Sequence, residues 1–360
     1  MGGGLASLVA YATLRKGGLE PDEIDVFGTD NDPAAAFRRR TRAIKQRFMR
    51  SESDGHCLPT SFPGLAVRAA ARRRSPIPLA ATLFDRYHPT LEEFLAHVDE
   101  VRSDCGWDAS IRLIRIDRVT AAQGGFGLDD HGVYRHVLVA PGHPGLAFPD
   151  GLERADRVVH AYEPHDYADD VEIVGAGMAA ATEWLNALAA GASVTSVRRR
   201  EPERRPLNFP RPLFTKRGLA GYHRLPADER MAALRRWSAP SYPPGPQWDL
   251  PLETAAREGR FRTAADLNGA KQIICATGFR RGFRHDPLFA RLVADHGLET
   301  ADSWIVLAPD ATVPQLTSAE RTLALAGAPA QWAFPAADTL AGARYVAHRF
   351  LKRVRACRTR

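Results

Sequence analysis

The chain of 360 residues is 44% hydrophobic and 25% charged, a composition that excludes a disordered or fibrous protein. At roughly 150 residues per domain, this length predicts about two domains. The formal net charge is +7, from 49 Lys and Arg against 42 Asp and Glu. The sequence contains no recognisable module for entering a groove or stacking on bases, so we expect solvated arginines and no nucleic-acid partner.

The cysteines and the apolar runs indicate a cellular location. Cys57, Cys105, Cys275 and Cys357 lie far apart and form no CxxC pair. We therefore expect neither disulfides nor a metal site, and we expect a reducing, cytoplasmic compartment. No apolar run reaches the ~18 residues of a membrane span, so no membrane partner is expected.

The chain begins with a glycine cluster and an apolar run, MGGGLASLVAYATLRK. The run predicts a helix, and a turn at residues 17–18 leads to a strand at 24–27 that ends towards Asp30. Taken alone, this start is better explained as a frayed glycine tail in front of an ordinary helix.

Two segments follow before the middle of the chain. Residues 47–63, RFMRSESDGHCLPTSFP, have the polar, turn-rich composition of functional loops. Arg50, Ser51 and His56 are candidates there for contact with substrate or cofactor, although a plain turn role explains the same residues. Thr90, with Glu93 three residues later and a helical pattern behind it, predicts an N-cap with a capping box.

The segment from residue 169 to 201, DDVEIVGAGMAAATEWLNALAAGASVTSVRRRE, carries the clearest pattern. It predicts a buried strand at 171–174, a helix at 179–190 and a second strand at 192–197. Strand, turn, helix and strand in this order predict a right-handed parallel unit.

A glycine motif occupies the first turn of this unit. Gly175 allows the tight turn, Gly177 lets the backbone approach a pyrophosphate, and Ala180 allows close packing of helix on strand. The free N–H groups and the dipole of the helix N-terminus would hold the phosphate. A nucleotide site is favoured over a purely structural glycine turn.

The residues after the second strand indicate which nucleotide binds. An acid there bonds the ribose 2′-hydroxyl of NAD, whereas arginine accommodates the 2′-phosphate of NADP. Arg198, Arg199 and Arg200 come before the next acid, Glu201. NADPH is therefore favoured over NADH.

The N-terminal segment repeats this pattern. Gly2, Gly4 and Ser7 match the glycine motif, or Gly4 is its last glycine, and Asp30 is placed to bond a ribose hydroxyl. In either alignment the strand that should precede the glycines is missing. We expect that residue 1 lies inside a longer reading frame or that FAD binds poorly.

Two such units about 170 residues apart resemble the flavoproteins with two dinucleotide-binding domains, especially flavin-containing monooxygenases and N-hydroxylases. Residues 134–149, YRHVLVAPGHPGLAFP, look like the crossing from the FAD domain to the NADPH domain, and residues 271–283, KQIICATGFRRGF, look like the return crossing, with Thr277 and Gly278 in its ATG segment. His160 and Tyr162 match the linker of these monooxygenases.

The C-terminal segment resembles the close of the FAD domain. A strand at 322–326 and a helix at about 339–350 follow each other, and the helix N-terminus would face the pyrimidine edge of the flavin. The resemblance places Asp338 and Thr339 in this cap region. The CxxC of disulfide reductases and the Baeyer–Villiger fingerprint are absent.

The resemblance implies an α/β protein with two Rossmann-like domains, each a three-layer structure around a parallel sheet. The FAD domain would be discontinuous, at 1–150 and 280–360, and the NADPH domain would span 151–279. A Pro- and aromatic-rich insertion at about 202–260 would cover the active site.

The implied function is an FAD-dependent, NADPH-using monooxygenase that acts on a small molecule. An NADPH-dependent flavoprotein reductase and a catalytically silent nucleotide-binding protein are the alternatives. No catalytic acid or base is identified, because the cofactor supplies much of the chemistry. The substrate and the oligomeric state stay open.

Overall fold

The computed structural model describes residues 1–50, 65–83, 87–153, 155–207 and 209–358. The helices are α1 (Leu5–Lys16), α2 (Ala35–Ala43), α3 (Leu65–Arg73), α4 (Ile77–Leu83), α5 (Leu91–Cys105), α6 (Trp107–Ser110), α7 (Met178–Ala189), α8 (Lys216–His223), α9 (Ala227–Trp237), α10 (Pro246–Arg257), α11 (Pro287–His296) and α12 (Leu340–Arg358). In these ranges none of the helices combines the length and the apolar character that a bilayer span requires.

The strands belong to several sheets. They are β1 (Val26–Gly28), β2 (Ile111–Leu113), β3 (Val119–Ala122), β4 (Gly125–Leu128), β5 (Val133–Tyr134), β6 (His136–Val139), β7 (Val158–His160), β8 (Asp170–Val174), β9 (Ser193–Val197), β10 (Glu203–Arg204), β11 (Ser241–Tyr242), β12 (Phe261–Ala264), β13 (Gln272–Cys275), β14 (Thr300–Ala301), β15 (Trp304–Ile305) and β16 (Thr322–Leu325).

The largest sheet has five parallel strands in the order β12-β9-β8-β13-β7. The central strand β8 pairs with β9 on one side and with β13 on the other, and α7 connects β8 to β9. This arrangement confirms the predicted strand, helix, strand unit. Both faces of β8 are buried because helices cover a parallel sheet. Val171 and Ile173 are fully buried, and the carboxylate of buried Glu172 accepts hydrogen bonds from Asn268 N and Ala270 N.

A second set of parallel strands consists of two separate pairs, β1 with β2 and β6 with β16. Met1 and Gly2 lie between the pairs: Met1 N donates to Leu138 O and Gly2 N donates to Phe27 O. Met1 and Gly2 are therefore hydrogen-bonded to one strand of each pair. The antiparallel strands β3, β4 and β5 form a small sheet beside this set.

Two elements have a boundary that differs from the sequence prediction by more than one residue. The strand predicted at 24–27 is observed as Val26–Gly28, because its partner β2 begins opposite Val26. The helix predicted to end near residue 350 continues to Arg358, because buried Phe350 and Val354 extend its apolar face by another turn.

The buried residues form two cores. One contains the pairs β1–β2 and β6–β16 with α1 and α12, and the other surrounds the five-stranded sheet, with Trp184 fully buried in it. The predicted insertion contributes to both cores: Leu219 and Tyr222 belong to the first, and Trp248 belongs to the second. All three side chains therefore pack in the hydrophobic cores.

The N-terminus of α5 has the predicted cap. Thr90 Oγ1 accepts a hydrogen bond from Glu93 N, and Glu93 Oε2 accepts one from Thr90 N. The capping box is confirmed because the two residues satisfy each other's backbone N–H groups.

Candidate functional site

The two glycine motifs begin with glycines in equivalent positions. Gly2 has φ +102°, and a Cβ on it would lie 2.1 Å from Ala140 O. Gly175 has φ +132°, and its Cβ would lie 2.6 Å from Ala276 O. Only glycine fits either place, because the neighbouring crossing segment is in contact with the turn.

The second glycine of each motif is a helix N-cap. Gly4 precedes α1 with φ −93° and ψ −174°, and Gly177 precedes α7 with φ −92° and ψ −166°. A Cβ at either position would meet no atom within 4 Å, and no described side chain caps either helix. Both termini therefore present N–H groups to open space, as an anion site requires.

The third position of each motif packs against the sheet. Ser7 is 7% exposed and Ala180 is fully buried. The two units also have matching main-chain hydrogen bonds. In the first unit, Gly2 N donates to Phe27 O and Ala140 N donates to Met1 O. In the second unit, Gly175 N donates to Val197 O and Ala276 N donates to Val174 O. Of the two sequence alignments, this geometry agrees with the one in which Gly2, Gly4 and Ser7 form the glycine motif. Met1 then corresponds to Val174 of the second unit.

The strand ends differ between the units as the sequence indicates. Beyond β1, Asp30 Oδ1 accepts a hydrogen bond from Asp32 N, and Asp30 Oδ2 pairs with exposed Arg39 at 3.3 Å. Beyond β9, Arg199 and Arg200 are exposed. The Arg198 side chain is 12% exposed because it pairs with Glu201 and lies over the Trp184 ring.

The two crossing segments run side by side. Thr277 Oγ1 donates to Ala147 O, and Ala147 N donates to Gly278 O at 3.0 Å. Gly278 has φ +78°, a conformation that favours glycine. Thr277 and Gly278 therefore join the two segments, and their contact with a cofactor stays a prediction.

A stack of rings joins the same segments to the linker before β8. Phe279 stacks on His143 at 4.2 Å and on Tyr162 at 4.9 Å, and the Arg40 guanidinium lies over Phe279 at 4.4 Å. Tyr162 in turn stacks on His160 at 5.6 Å. Burial and the nearby Arg40 and Arg281 charges lower the pKa of His143 to about 4, so this imidazole is neutral at pH 7.

The N-terminus of α12 is capped by its own side chain. Thr339 Oγ1 accepts a hydrogen bond from Gly342 N at 3.2 Å and donates to Ala336 O at 2.7 Å. The neighbouring Asp338 is exposed, yet desolvation by the surrounding protein raises its pKa against the opposing charge of Arg281. The surroundings of Asp338 therefore disfavour the charged form of its carboxyl group.

A small cavity of about 40 Å³ lies beyond the ends of β6 and β16. Gly142, Arg281, Pro329 and Gln331 contribute to its wall. Gln331 is 4% exposed, and its side chain faces the Asp338 carboxyl, where hydrogen bonding opposes the rise of the pKa of that group.

Sequence reasoning missed Arg281 and Gln331. Arg281 lies three residues after Gly278, and Gln331 lies in the turn GAPAQW that follows β16. The available signal was their position beyond the carboxyl end of a parallel strand, where ligands bind in open α/β sheets.

The substrate candidates are only partly placed. The Arg50 guanidinium donates to the carbonyl oxygens of Arg205, Pro206, Leu207 and Ser241. It therefore fastens the segment after α2 to the region of β10 and β11. Ser51 and His56 lie outside the described residues.

A larger cavity, about 660 Å³, runs along one face of α7. Residues 45–48 and α10 complete its wall. It lies against the helical layer, away from the strand ends at which the glycine motifs predict nucleotide binding.

The fold is that of solved flavin-dependent enzymes. The chain superposes on an ornithine N-hydroxylase from Kutzneria sp. 744 with a TM-score of 0.70 and 13% identity, covering 99% of this chain and 97% of that one. It superposes on an ornithine hydroxylase from Pseudomonas aeruginosa with a TM-score of 0.65 and 16% identity, covering 97% of each. It superposes on a bacillithiol disulfide reductase from Bacillus cereus with a TM-score of 0.56 and 14% identity, covering 98% of this chain and 97% of that one.

No protein-family model matches the chain, and no curated protein matches it significantly. At these identities the structural similarity establishes the fold, which is flavin-monooxygenase-like as the sequence resemblance implied. The chemistry must be argued from the residues.

Proposed function

We propose that this chain is an FAD-dependent, NADPH-using oxidoreductase that hydroxylates an amine or another soft nucleophile of a small molecule. The observation that carries the proposal is the pair of equivalent glycine turns, one followed by an acid and the other by arginines. In this proposal the domains are those of the sequence prediction, with FAD at residues 1–150 and 280–360 and NADPH at 151–279.

The first unit offers what FAD needs. Gly2 and Gly4 keep the α1 N-terminus open for the pyrophosphate, and Asp30 is available to a ribose hydroxyl. Asp338 and the capped N-terminus of α12 would lie at the flavin. FAD bound at this place supplies the redox chemistry, namely hydride acceptance and oxygen activation.

The second unit offers what NADPH needs. Gly177 lies at the open N-terminus of α7, and exposed Arg199 and Arg200 follow β9. Arginine donors match the 2′-phosphate in charge and geometry. Thr277 and Gly278 lie at the return crossing between the two units.

Two features support hydroxylation over simple reduction. The structures with the higher TM-scores are N-hydroxylases, one of them with reduced FAD, NADP⁺ and L-ornithine in its name. The sequence also lacks the CxxC of a disulfide reductase. The bacillithiol disulfide reductase shares the fold, so a reductase is the second candidate.

The test is the absorbance spectrum of the purified protein, followed by NADPH oxidation in the presence of oxygen and candidate amines. We expect bound FAD, a preference for NADPH, and NADPH consumption coupled to a hydroxylated amine. NADPH oxidation that yields only hydrogen peroxide with every amine would favour the reductase. A colourless protein that takes up no FAD would exclude both enzymes.

A further inference from the structure

A further cavity lies between α8 and α12 and encloses about 610 Å³. One wall is a face of α8, from Lys216 to His223, and the other is a face of α12, from Ala341 to Arg353. The loop at 308–310 and Phe334 complete the wall. This volume lies within the roughly 300–1,000 Å³ of small-molecule sites. We call it the α8–α12 cavity.

The charges on the wall of this cavity are mostly positive. Neither helix contains an acidic residue. Among the described residues, Asp310 is the one acid that lines the cavity, and its carboxylate already pairs with Arg353 at 2.6 Å. The other cations of the wall are Lys216, Arg344 and Arg349. The wall therefore has a surplus of positive charge.

Two of these cations lie on opposite walls and face solvent. Lys216 on α8 and Arg349 on α12 are exposed, and neither forms an ion pair with an acid among the described residues. The Arg349 guanidinium lies over the Tyr345 ring at 5.2 Å, which holds it beside the cavity. Burial and the charges of Arg230 and Arg349 lower the pKa of His223, as expected of a place with positive potential.

Aromatic rings form an apolar part of the wall. Phe334 stacks on Tyr345 with ring centroids 4.7 Å apart, and Phe214 packs edge-on against Phe334 at 6.1 Å. The Tyr345 hydroxyl donates to Pro309 O at 2.6 Å, which fixes its ring. Phe214 and Tyr345 are half-buried and line the cavity, so they offer ring surface to a planar ligand.

We propose that the α8–α12 cavity binds a small organic anion, namely a phosphate or carboxylate group attached to a planar ring. The anionic group would lie between Lys216 and Arg349, where it supplies the acidic partner that both cations lack among the described residues. The ring would pack against Phe214 and Tyr345. The proposal goes beyond the redox function and does not depend on it.

The test is isothermal titration of the purified protein with 1-naphthyl phosphate and with 1-naphthoate at low salt. We expect one site with a Kd of about 1 mM or tighter for at least one of the two anions. Added salt should weaken this binding, and neutral 1-naphthol should bind more weakly. The anion with the lower Kd identifies the preferred acidic group.

Two double variants locate the binding site. Lys216→Gln with Arg349→Gln should weaken the binding of the preferred anion by about tenfold or more. Arg217→Gln with Lys352→Gln is the matched control, because these exposed residues belong to the same two helices and do not line the cavity. The control removes the same total charge and should leave the Kd unchanged.

A third variant tests the ring contact. Phe214→Leu should weaken the binding of 1-naphthyl phosphate or 1-naphthoate by about threefold or more, because it removes an aromatic face from the wall. The Tm of each variant should stay close to that of the native protein, since the substituted cations are exposed.

Four outcomes would overturn the proposal. The native protein could bind neither anion, or bind 1-naphthol as tightly as the anions. The variant with Lys216→Gln and Arg349→Gln could bind as tightly as the native protein, with NADP⁺ displacing the anion from both, which would place it at a nucleotide turn. Tighter binding of a tetraglutamate peptide than of either aryl anion would mean that the cavity takes an acidic segment of a protein.

Discussion

At the scale of single residues, a substitution of Gly177 should affect nucleotide binding and leave folding nearly unchanged. A Cβ there meets no protein atom, whereas a Cβ on Gly175 lies 2.6 Å from Ala276 O at φ +132°. Gly177→Ala should therefore change stability by less than about 1 kcal/mol. It should weaken NADPH binding by about tenfold or more, because the added methyl group lies where the pyrophosphate approaches.

Isothermal titration with NADPH and urea unfolding measure the two effects of this substitution. Gly175→Ala is the contrasting variant, expected to lose about 1–3 kcal/mol of stability from backbone strain. Native NADPH affinity in Gly177→Ala would argue against a nucleotide at this turn.

The arginines after β9 can be divided by their environment. Arg198 is held by Glu201 and Trp184, so we assign the 2′-phosphate to exposed Arg199 and Arg200. The double variant Arg199→Ala with Arg200→Ala should raise the KM for NADPH by about tenfold or more and leave the KM for NADH unchanged.

Steady-state kinetics with both nucleotides would check this. Arg235→Ala with Arg236→Ala, an exposed pair on α9, is the control for loss of two positive charges. An equal rise of KM for NADPH and NADH would show that these arginines do not distinguish the 2′-phosphate.

At the scale of elements, Arg50 connects the segment after α2 to the region of β10 and β11. Its guanidinium donates hydrogen bonds to several carbonyl oxygens at once, and a lysine ammonium cannot reproduce this geometry. Arg50→Lys should therefore cost about 1–3 kcal/mol of stability. Arg50→Ala should cost at least as much.

Urea unfolding and the substrate KM separate the structural role of Arg50 from substrate contact. For a structural role, the Lys and Ala variants should lose stability while their KM values stay close to that of the native enzyme. The alternative is that the positive charge of Arg50 contacts the substrate. In that case Arg50→Ala would raise the substrate KM without a loss of stability, and Arg50→Lys would restore the native KM.

The elements themselves were largely predictable, because local patterns determine them. The apolar run at 171–174 and the Thr90–Glu93 capping box depend on neighbouring residues only, and both are observed. Boundaries set by pairing were less predictable: β1 begins at Val26 because a strand more than 80 residues away begins opposite it.

At the scale of the molecule, the ring stack joins both crossing segments to the linker, and His143 makes it sensitive to pH. Since the folded pKa of about 4 lies below the ordinary 6.5, the unfolded chain takes up a proton that the folded chain does not. Above about pH 6.5, His143 is neutral in both states and does not reduce the free energy of unfolding. As the pH falls from 6.5 towards 4, protonation of His143 in the unfolded chain lowers that free energy.

His143→Phe should keep the stack on Phe279 and remove this loss. Tm measured at pH 7 and pH 4.5 should fall less in the variant than in the native protein. His131→Phe, which replaces an exposed histidine, is the control. An identical fall of Tm in native protein and His143→Phe would show that His143 does not titrate in this range.

The sequence by itself determined the α/β class and the two glycine-turn-helix units, because glycines, apolar runs and caps act over a few residues. Only the tertiary structure decided that Gly2, Gly4 and Ser7 take the places of Gly175, Gly177 and Ala180, since that match depends on contacts with distant crossing segments. It also brought Arg281 and Gln331 to one cavity. These features arise where segments far apart in the sequence meet, and no local pattern encodes such a meeting.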